Sequence, residues 1–134
     1  GGDEINLIEA GGNYGWPLVS HDEQLEGTLP PLAQFTPAEA PASAEFYSSD
    51  VLPMFTNSFF FGALRGEGLV RVLFSDEDPR AVVTLEKIVS DVGRVRTVVA
   101  GPDGYLYFST SNRDGRGDPL AGDDHIYRIM PVYE

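Results

Sequence analysis

The 134-residue chain predicts an all-β fold of short antiparallel strands, and three observations carry that reading. β-branched and aromatic residues gather in short runs. Gly, Pro, Asn and Asp separate those runs. No run carries the apolar stripe of period 3.6 that an amphipathic helix needs. Hydrophobic residues make up 42% and charged ones 22%, an ordinary folded balance that argues against disorder along the whole chain.

The elements follow in order. Glu4–Ile8 alternates polar and apolar residues before Gly11-Gly12. Ser20–Ala44, rich in Pro, Ala and acidic residues, reads as a long loop between structural units. Glu45–Tyr47 is a short strand. Ser58–Leu64 holds three consecutive phenylalanines, and the turn Arg65–Gly68 leads into Leu69–Phe74. Val82–Val89 and Val95–Ala100 are β-rich. Gly101-Pro102-Asp103-Gly104 is a tight hairpin turn, Pro presetting φ and Gly supplying φ > 0, and it leads into Tyr105–Thr110. His125–Met130 is the last strand.

A weak internal repeat organises these runs. The pair Phe59–Leu64 and Leu69–Leu73 parallels Tyr105–Thr110 and Ile126–Met130. The offset is 57 residues from Arg71 to Arg128 and 46 from Phe60 to Leu106, and the difference lies in the loop Ser111–Asp124. Units of about 40 to 50 residues fit four-stranded propeller blades. Residues 45–89 are then one blade, and 95–130 a last blade lacking its outer strand. Residues 1–44 are the end of an earlier blade, closed by Glu4–Ile8, plus an inter-blade loop. Two to two-and-a-half blades cannot close a ring. The expectation is a piece of a longer protein whose open edges invite self-association.

Nine Lys and Arg against 21 Asp and Glu give a formal charge of −12, which disfavours nucleic acid and anionic membranes as partners. Six of the basic residues nevertheless lie between Arg65 and Arg116, where they can hold an anionic ligand. The absence of cysteine excludes disulfides and thiolate metal sites. No apolar run approaches the roughly 20 residues a membrane helix requires.

In a propeller, the loop between strands two and three and the connection from strand four to the next blade share one face. This places Arg65, Arg94, Asn112, Arg113 and Arg116 on one rim, with Tyr14 and Trp16 expected beside them, and turns Gly101–Gly104 away. Arg65 is open to two readings, a solvated turn residue or an anion anchor. Trp16 is a core plug or a ligand wall. Arg113 and Arg116 are read first as partners of Asp114, Asp118, Asp123 and Asp124 that hold a long loop. Asn112, Asp114 and Asp118 have alternate spacing, but Arg116 takes a ligand position and no glutamate follows at the right distance, so an EF-hand-type calcium loop is not expected. His125, beside Asp123 and Asp124, reads as a paired surface histidine. The tripeptide Arg116-Gly117-Asp118 is taken as a chance match to an adhesion signal.

Five stretches carry a resemblance. Asp3-Glu4-Ile5-Asn6, Asn13-Tyr14-Gly15-Trp16-Pro17, Ala40-Pro41 with Phe46-Tyr47, Ala63-Leu64-Arg65-Gly66, and Thr110 to Gly117 followed by Asp123-Asp124 resemble, in order, the C-terminal third of the soluble quinoprotein sugar dehydrogenases. That is the glucose/sorbosone dehydrogenase family of six-bladed β-propellers. Ala42 and Ser43 replace a Ser-Gly of its pattern. The resemblance implies the C-terminal blades of a periplasmic or secreted oxidoreductase that turns aldoses into lactones with pyrroloquinoline quinone and calcium, passing electrons to an external acceptor. It further implies Arg65 as carboxylate anchor, Tyr14 and Trp16 beside cofactor and sugar, and Arg113 or Arg116 as an outer clamp. The family's catalytic histidine and calcium ligands lie upstream, so no catalytic or metal residue is assigned here and the chain by itself is expected to be inactive. The alternative is a non-enzymatic extracellular binding propeller of the same superfamily.

Overall fold

The computed structural model describes residues 2–132, and they form nine strands and one short 3-10 turn, Pro53–Phe55. β1 (Asp3–Ile5) and β2 (Ala33–Phe35) make a two-stranded antiparallel sheet. β3 (Pro41–Tyr47), β4 (Ser58–Ala63), β5 (Gly68–Phe74) and β6 (Val82–Val89) make a four-stranded meander. β7 (Val95–Ala100), β8 (Leu106–Thr110) and β9 (Ile126–Ile129) make a three-stranded one. The fold is all-β, and its sheets follow one another as blades do.

Two of the sequence expectations change. Glu4–Ile8 does not close its sheet, because β1 ends at Ile5 and the chain returns as β2 after a long excursion. Residues 20–44 are accordingly not loop throughout. They contain β2 and the first turn of β3, which begins at Pro41 rather than Glu45.

Stacking explains the run of phenylalanines in β4. A strand buried on both faces needs apolar residues at successive positions. Phe60 enters a core with Tyr47, Leu52, Leu69, Val95, Val98, Leu106 and Phe108, between the second and third sheets. Its neighbour Phe61 points the other way, into a core with Phe35, Ala63, Val70 and Val72, between the first and second. At the rim-side end of β4 the sheets approach so closely that a Cβ on Gly62 would lie 2.7 Å from the carbonyl oxygen of Val95. Glycine is required there by space alone.

Two side chains of β3 fasten the sheets. A register shift between Pro41 and Ala44 turns the Ser43 hydroxyl onto β7, where it donates to the carbonyl of Val98 (3.1 Å) and accepts from its N–H (3.2 Å). This is the position where serine stands in place of the pattern's glycine. At the other end of β3 the buried Tyr47 hydroxyl donates to the carbonyl of Gly104, in the hairpin of the third sheet, and accepts from the N–H of Leu52 at 3.1 Å.

An apolar cleft of about 540 Å³, lined among others by Ile5, Leu7, Ile8, Phe46, Phe59 and Phe74, opens between the first two sheets. Phe46 stays 63% exposed and Ile8 75%.

The Tyr47 bridge predicts a cost. Tyr47→Phe strands the half-buried Gly104 carbonyl and the buried Leu52 N–H, and lowers stability by about 1–3 kcal/mol. A shift of the urea midpoint at constant m-value measures it.

Candidate functional site

Antiparallel register puts the N-terminal ends of β3, β5, β7 and β9 and the C-terminal ends of β4, β6 and β8 at one rim. Three of the four register shifts in the sheets lie there, at Pro41/Ala44, Leu69/Val70 and Val95/Thr97. Bulges re-aim side chains, and their concentration at one end marks it as the end where side-chain direction matters.

Arg94 organises this rim. It is 7% exposed and fully partnered: its guanidinium donates to the carbonyl of Leu64 (2.9 Å) at the end of β4, and to Asp114 Oδ2 at 3.1 and 2.8 Å. The same carboxylate takes the guanidinium of Arg96 at 2.9 Å, and Arg96 also donates to the Ser111 hydroxyl. Arg96 reaches Asp114 because it is the bulged residue between Val95 and Thr97. Two guanidinium groups thus share one carboxylate, while Glu67, Asp91, Asp118 and Asp123 line a cavity on the other side of Gly93 and Asn112. The hydrogen bond from Arg94, reinforced by the N–H of Arg116 and the charges of Arg94 and Arg96, outweighs burial and lowers the Asp114 carboxyl to about 2.

Arg65 follows β4 next to this corner. Its backbone N–H is held by the Glu39 carbonyl (3.0 Å), while its side chain is exposed and has no hydrogen-bond or ion-pair partner among the described residues. Arg116 is likewise exposed, its N–H on Asp114 Oδ1 and its guanidinium without a partner among the described residues. Arg113 is tied into its own loop, donating to the carbonyls of Asp123 and Leu120, with its N–H on Asp124. Asn112 is buried, accepting the Arg94 N–H and donating to the Val92 carbonyl and Asp123. Burial pushes the Asp124 carboxyl up, but the N–H groups of Asn112 and Arg113 hold it below the ordinary value. His125 lies 3.8 Å from Asp123 and edge-on to Tyr127.

The Tyr14 and Trp16 loop enters differently from the expectation. It spans the far ends of β1 and β2, and its start shares the cleft of Asn57, Ser75 and Asp76. The Tyr14 hydroxyl is spent there, donating to the Leu7 carbonyl (2.8 Å) and accepting from the Glu9 N–H (2.6 Å). The loop then folds back along β1 until the His21 N–H meets Glu4 Oε1 at 2.7 Å and its ring meets Thr36 at 3.3 Å. Trp16 is 82% exposed within this chain and, with Tyr14, borders a polar cavity of about 580 Å³ lined also by Asp3, Asn6, His21 and Thr36. Asp3 links this cavity to the Arg65 turn, because its carboxylate accepts the N–H of Ala40 at 2.7 Å.

Free guanidinium groups and an exposed indole are the donor types that a planar tricarboxylate requires. No cluster of three or more His, Asp or Glu fit for a metal occurs among the described residues. The sequence places Arg94 on this rim without a role and does not single out Arg96. Their one available signal was alternate spacing at the start of a β-rich run.

The model of the glucose/sorbosone dehydrogenase family matches residues 1–128. An uncharacterized protein of Synechocystis sp. (strain ATCC 27184 / PCC 6803 / Kazusa) is 37% identical over 128 residues, covering 87% of this chain and 30% of that protein. The aldose sugar dehydrogenase YliI of Escherichia coli (strain K12) is 33% identical over 129 residues, covering 86% of this chain and 34% of its own. The structure of the PQQ-bound aldose sugar dehydrogenase from Streptomyces coelicolor superposes with a TM-score of 0.76 at 35% identity, covering 95% of this chain and 36% of that one. The chain thus spans about a third of the length of the relatives it matches.

The acid limb of stability tests the Arg94–Asp114 corner. A carboxyl lowered from 3.8 to about 2 contributes stability that is present above the ordinary value and is lost as pH falls through the lowered one. Asp114→Asn therefore flattens the pH dependence of the unfolding midpoint between 3.8 and about 2.

Proposed function

Because the chain belongs to the glucose/sorbosone dehydrogenase family, we propose that it supplies the C-terminal two to two-and-a-half blades of a six-bladed propeller enzyme that oxidises aldose sugars. A third of six blades is two, which agrees with one four-stranded sheet flanked by partial ones. The apolar cleft beside Phe46 is a surface that neighbouring blades would cover. Activity then belongs to the whole ring, located in the periplasm or outside the cell, with an external electron acceptor.

The observation that carries the reading is the guanidinium cluster at the rim: Arg65, without a partner among the described residues, stands next to two guanidinium groups that share Asp114. In an otherwise acidic protein such a spot favours a multiply charged anion. When bound, pyrroloquinoline quinone supplies a two-electron acceptor, so that an aldose loses hydrogen from its anomeric carbon and hydroxyl and leaves as the lactone. The chain's own residues bind and orient. Arg65 forks onto a carboxylate of the cofactor, and Arg116 closes over it as an outer clamp. Trp16 gives a flat wall to ring or sugar. Tyr14 and Arg113, their polar groups committed, hold the two loops in place. The general base and the calcium ligands belong to the remaining blades.

In the full-length protein, loss of one charge-assisted fork, worth about 1.5–3 kcal/mol, raises the quinone dissociation constant of Arg65→Met about 10- to 100-fold. Trp16→Ala raises the sugar KM. Titration of bound quinone and dye reduction with several aldoses measure both. Unchanged quinone affinity in Arg65→Met overturns the assignment, and the absence of any quinone binding by the full-length protein favours the binding-propeller alternative.

A further inference from the structure

The turn that presents Arg65 is held by an ion pair from outside it. β6 runs beside β5 in regular register from Thr84 opposite Leu73 to Lys87 opposite Val70. The next pair is Leu69 and Val89, so Ile88 is an extra residue. This bulge sends the Lys87 side chain off the sheet and over the end of β5. Its stem passes across Gly68, where a Cβ would lie 2.9 Å from Lys87 Cδ and 2.2 Å from the Val89 carbonyl oxygen, at a φ of +146°. Its ammonium group donates to the Gly66 carbonyl and lies 3.2 Å from Glu39 Oε2.

Glu39 closes the arrangement from the other side. Its carbonyl accepts the N–H of both Arg65 and Gly66 at 3.0 Å. Its carboxylate sits on the bare face of Gly66, where a Cβ would fall 1.4 Å from Oε2 and 2.3 Å from Cδ. Oε2 makes no aligned hydrogen bond among the described residues, and Lys87 is the ion-pair partner of this partly exposed carboxylate. Glu39 thus holds both peptides that flank Arg65 and Lys87 holds the next one, so three segments meet on this turn: the connection after β2, the turn itself, and the bulged end of β6.

We propose that Lys87 and Glu39 form a latch that positions Arg65, fixing the direction of its free guanidinium toward the anionic ligand without touching that ligand. The proposal rests on Arg65 being a carboxylate anchor. The chemistry explains the design: an arginine kept without a partner is available to a ligand but has many rotamers, and immobilising its backbone lowers the ordering cost of each binding event.

The test uses the full-length protein and titration of pyrroloquinoline quinone at fixed calcium and low ionic strength, with the unfolding midpoint of the quinone-free protein measured alongside. Lys87→Met, Glu39→Gln and Gly66→Ala each weaken quinone binding about 10-fold, since small misplacements of a binding group carry costs up to about 100-fold. Lys87→Arg, which keeps the charge and the reach, recovers most of the affinity. Gly66→Ala displaces the Glu39 carboxylate, so combining it with Glu39→Gln adds little to either alone. The unfolding midpoint moves little in all of them. If Arg65→Met weakens binding while the three latch variants do not, the latch is refuted and the anchor stands. If Arg65→Met also leaves binding unchanged, the anchor fails and the latch with it. A loss of affinity that tracks a fallen midpoint, unrescued by Lys87→Arg, reduces the ion pair to a stabiliser and overturns the positioning role. Should Lys87→Met fail to fold, Glu39→Gln and Gly66→Ala decide the matter.

Discussion

A buried guanidinium group must find partners for its charge and its donors, and the rim is arranged around meeting that demand for Arg94. One partner, the Leu64 carbonyl, belongs to the four-stranded sheet, and the other, Asp114, to a loop of the three-stranded one. Both sheets and the loop are therefore held to a common point. The loop has no regular structure of its own, yet Asn112, Asp114, Asp123 and Asp124 spend their polar atoms on backbone groups and on one another around Arg94. A carboxylate set that looks like a ligand cage in sequence is in fact scaffolding for a cation.

This arrangement reconciles an acidic protein with an anion-seeking mouth. The formal charge of −12 is spread over the surface, whereas at the rim the cations outnumber the carboxylates that reach them. Long-range repulsion is screened over roughly 8–10 Å at ordinary ionic strength, so the local guanidinium cluster governs what binds there.

The fold was legible where local chemistry speaks for itself. β6 and β7 have the bounds their composition predicts, and the four-stranded and three-stranded units follow from the repeat. β2 escaped because Ala33-Gln34-Phe35 is three residues long and flanked by prolines, and it is a strand only because β1 and the buried Phe35 make it one. The start of β3 was hidden by Pro41 and a bulge. At the site, Arg65 and Trp16 stood out by type and motif. Arg94 and Arg96 did not, because burial of one and bulging of the other are properties of the packed sheets. The path of the Tyr14 loop was not legible for the same reason: strand order within a sheet, which decides the end from which a loop leaves, depends on pairing between distant segments.

The span of the mouth is governed by an atom that is missing. Gly62 lets the backbone of β4 rest against that of β7, so the gap between the sheet bearing Arg65 and the sheet bearing Arg94 and Arg96 is a main-chain contact distance, insensitive to how side chains pack. Any methyl inserted there would act as a wedge, spreading the jaws from their hinge and detuning every grip at the opening while leaving each gripping residue intact.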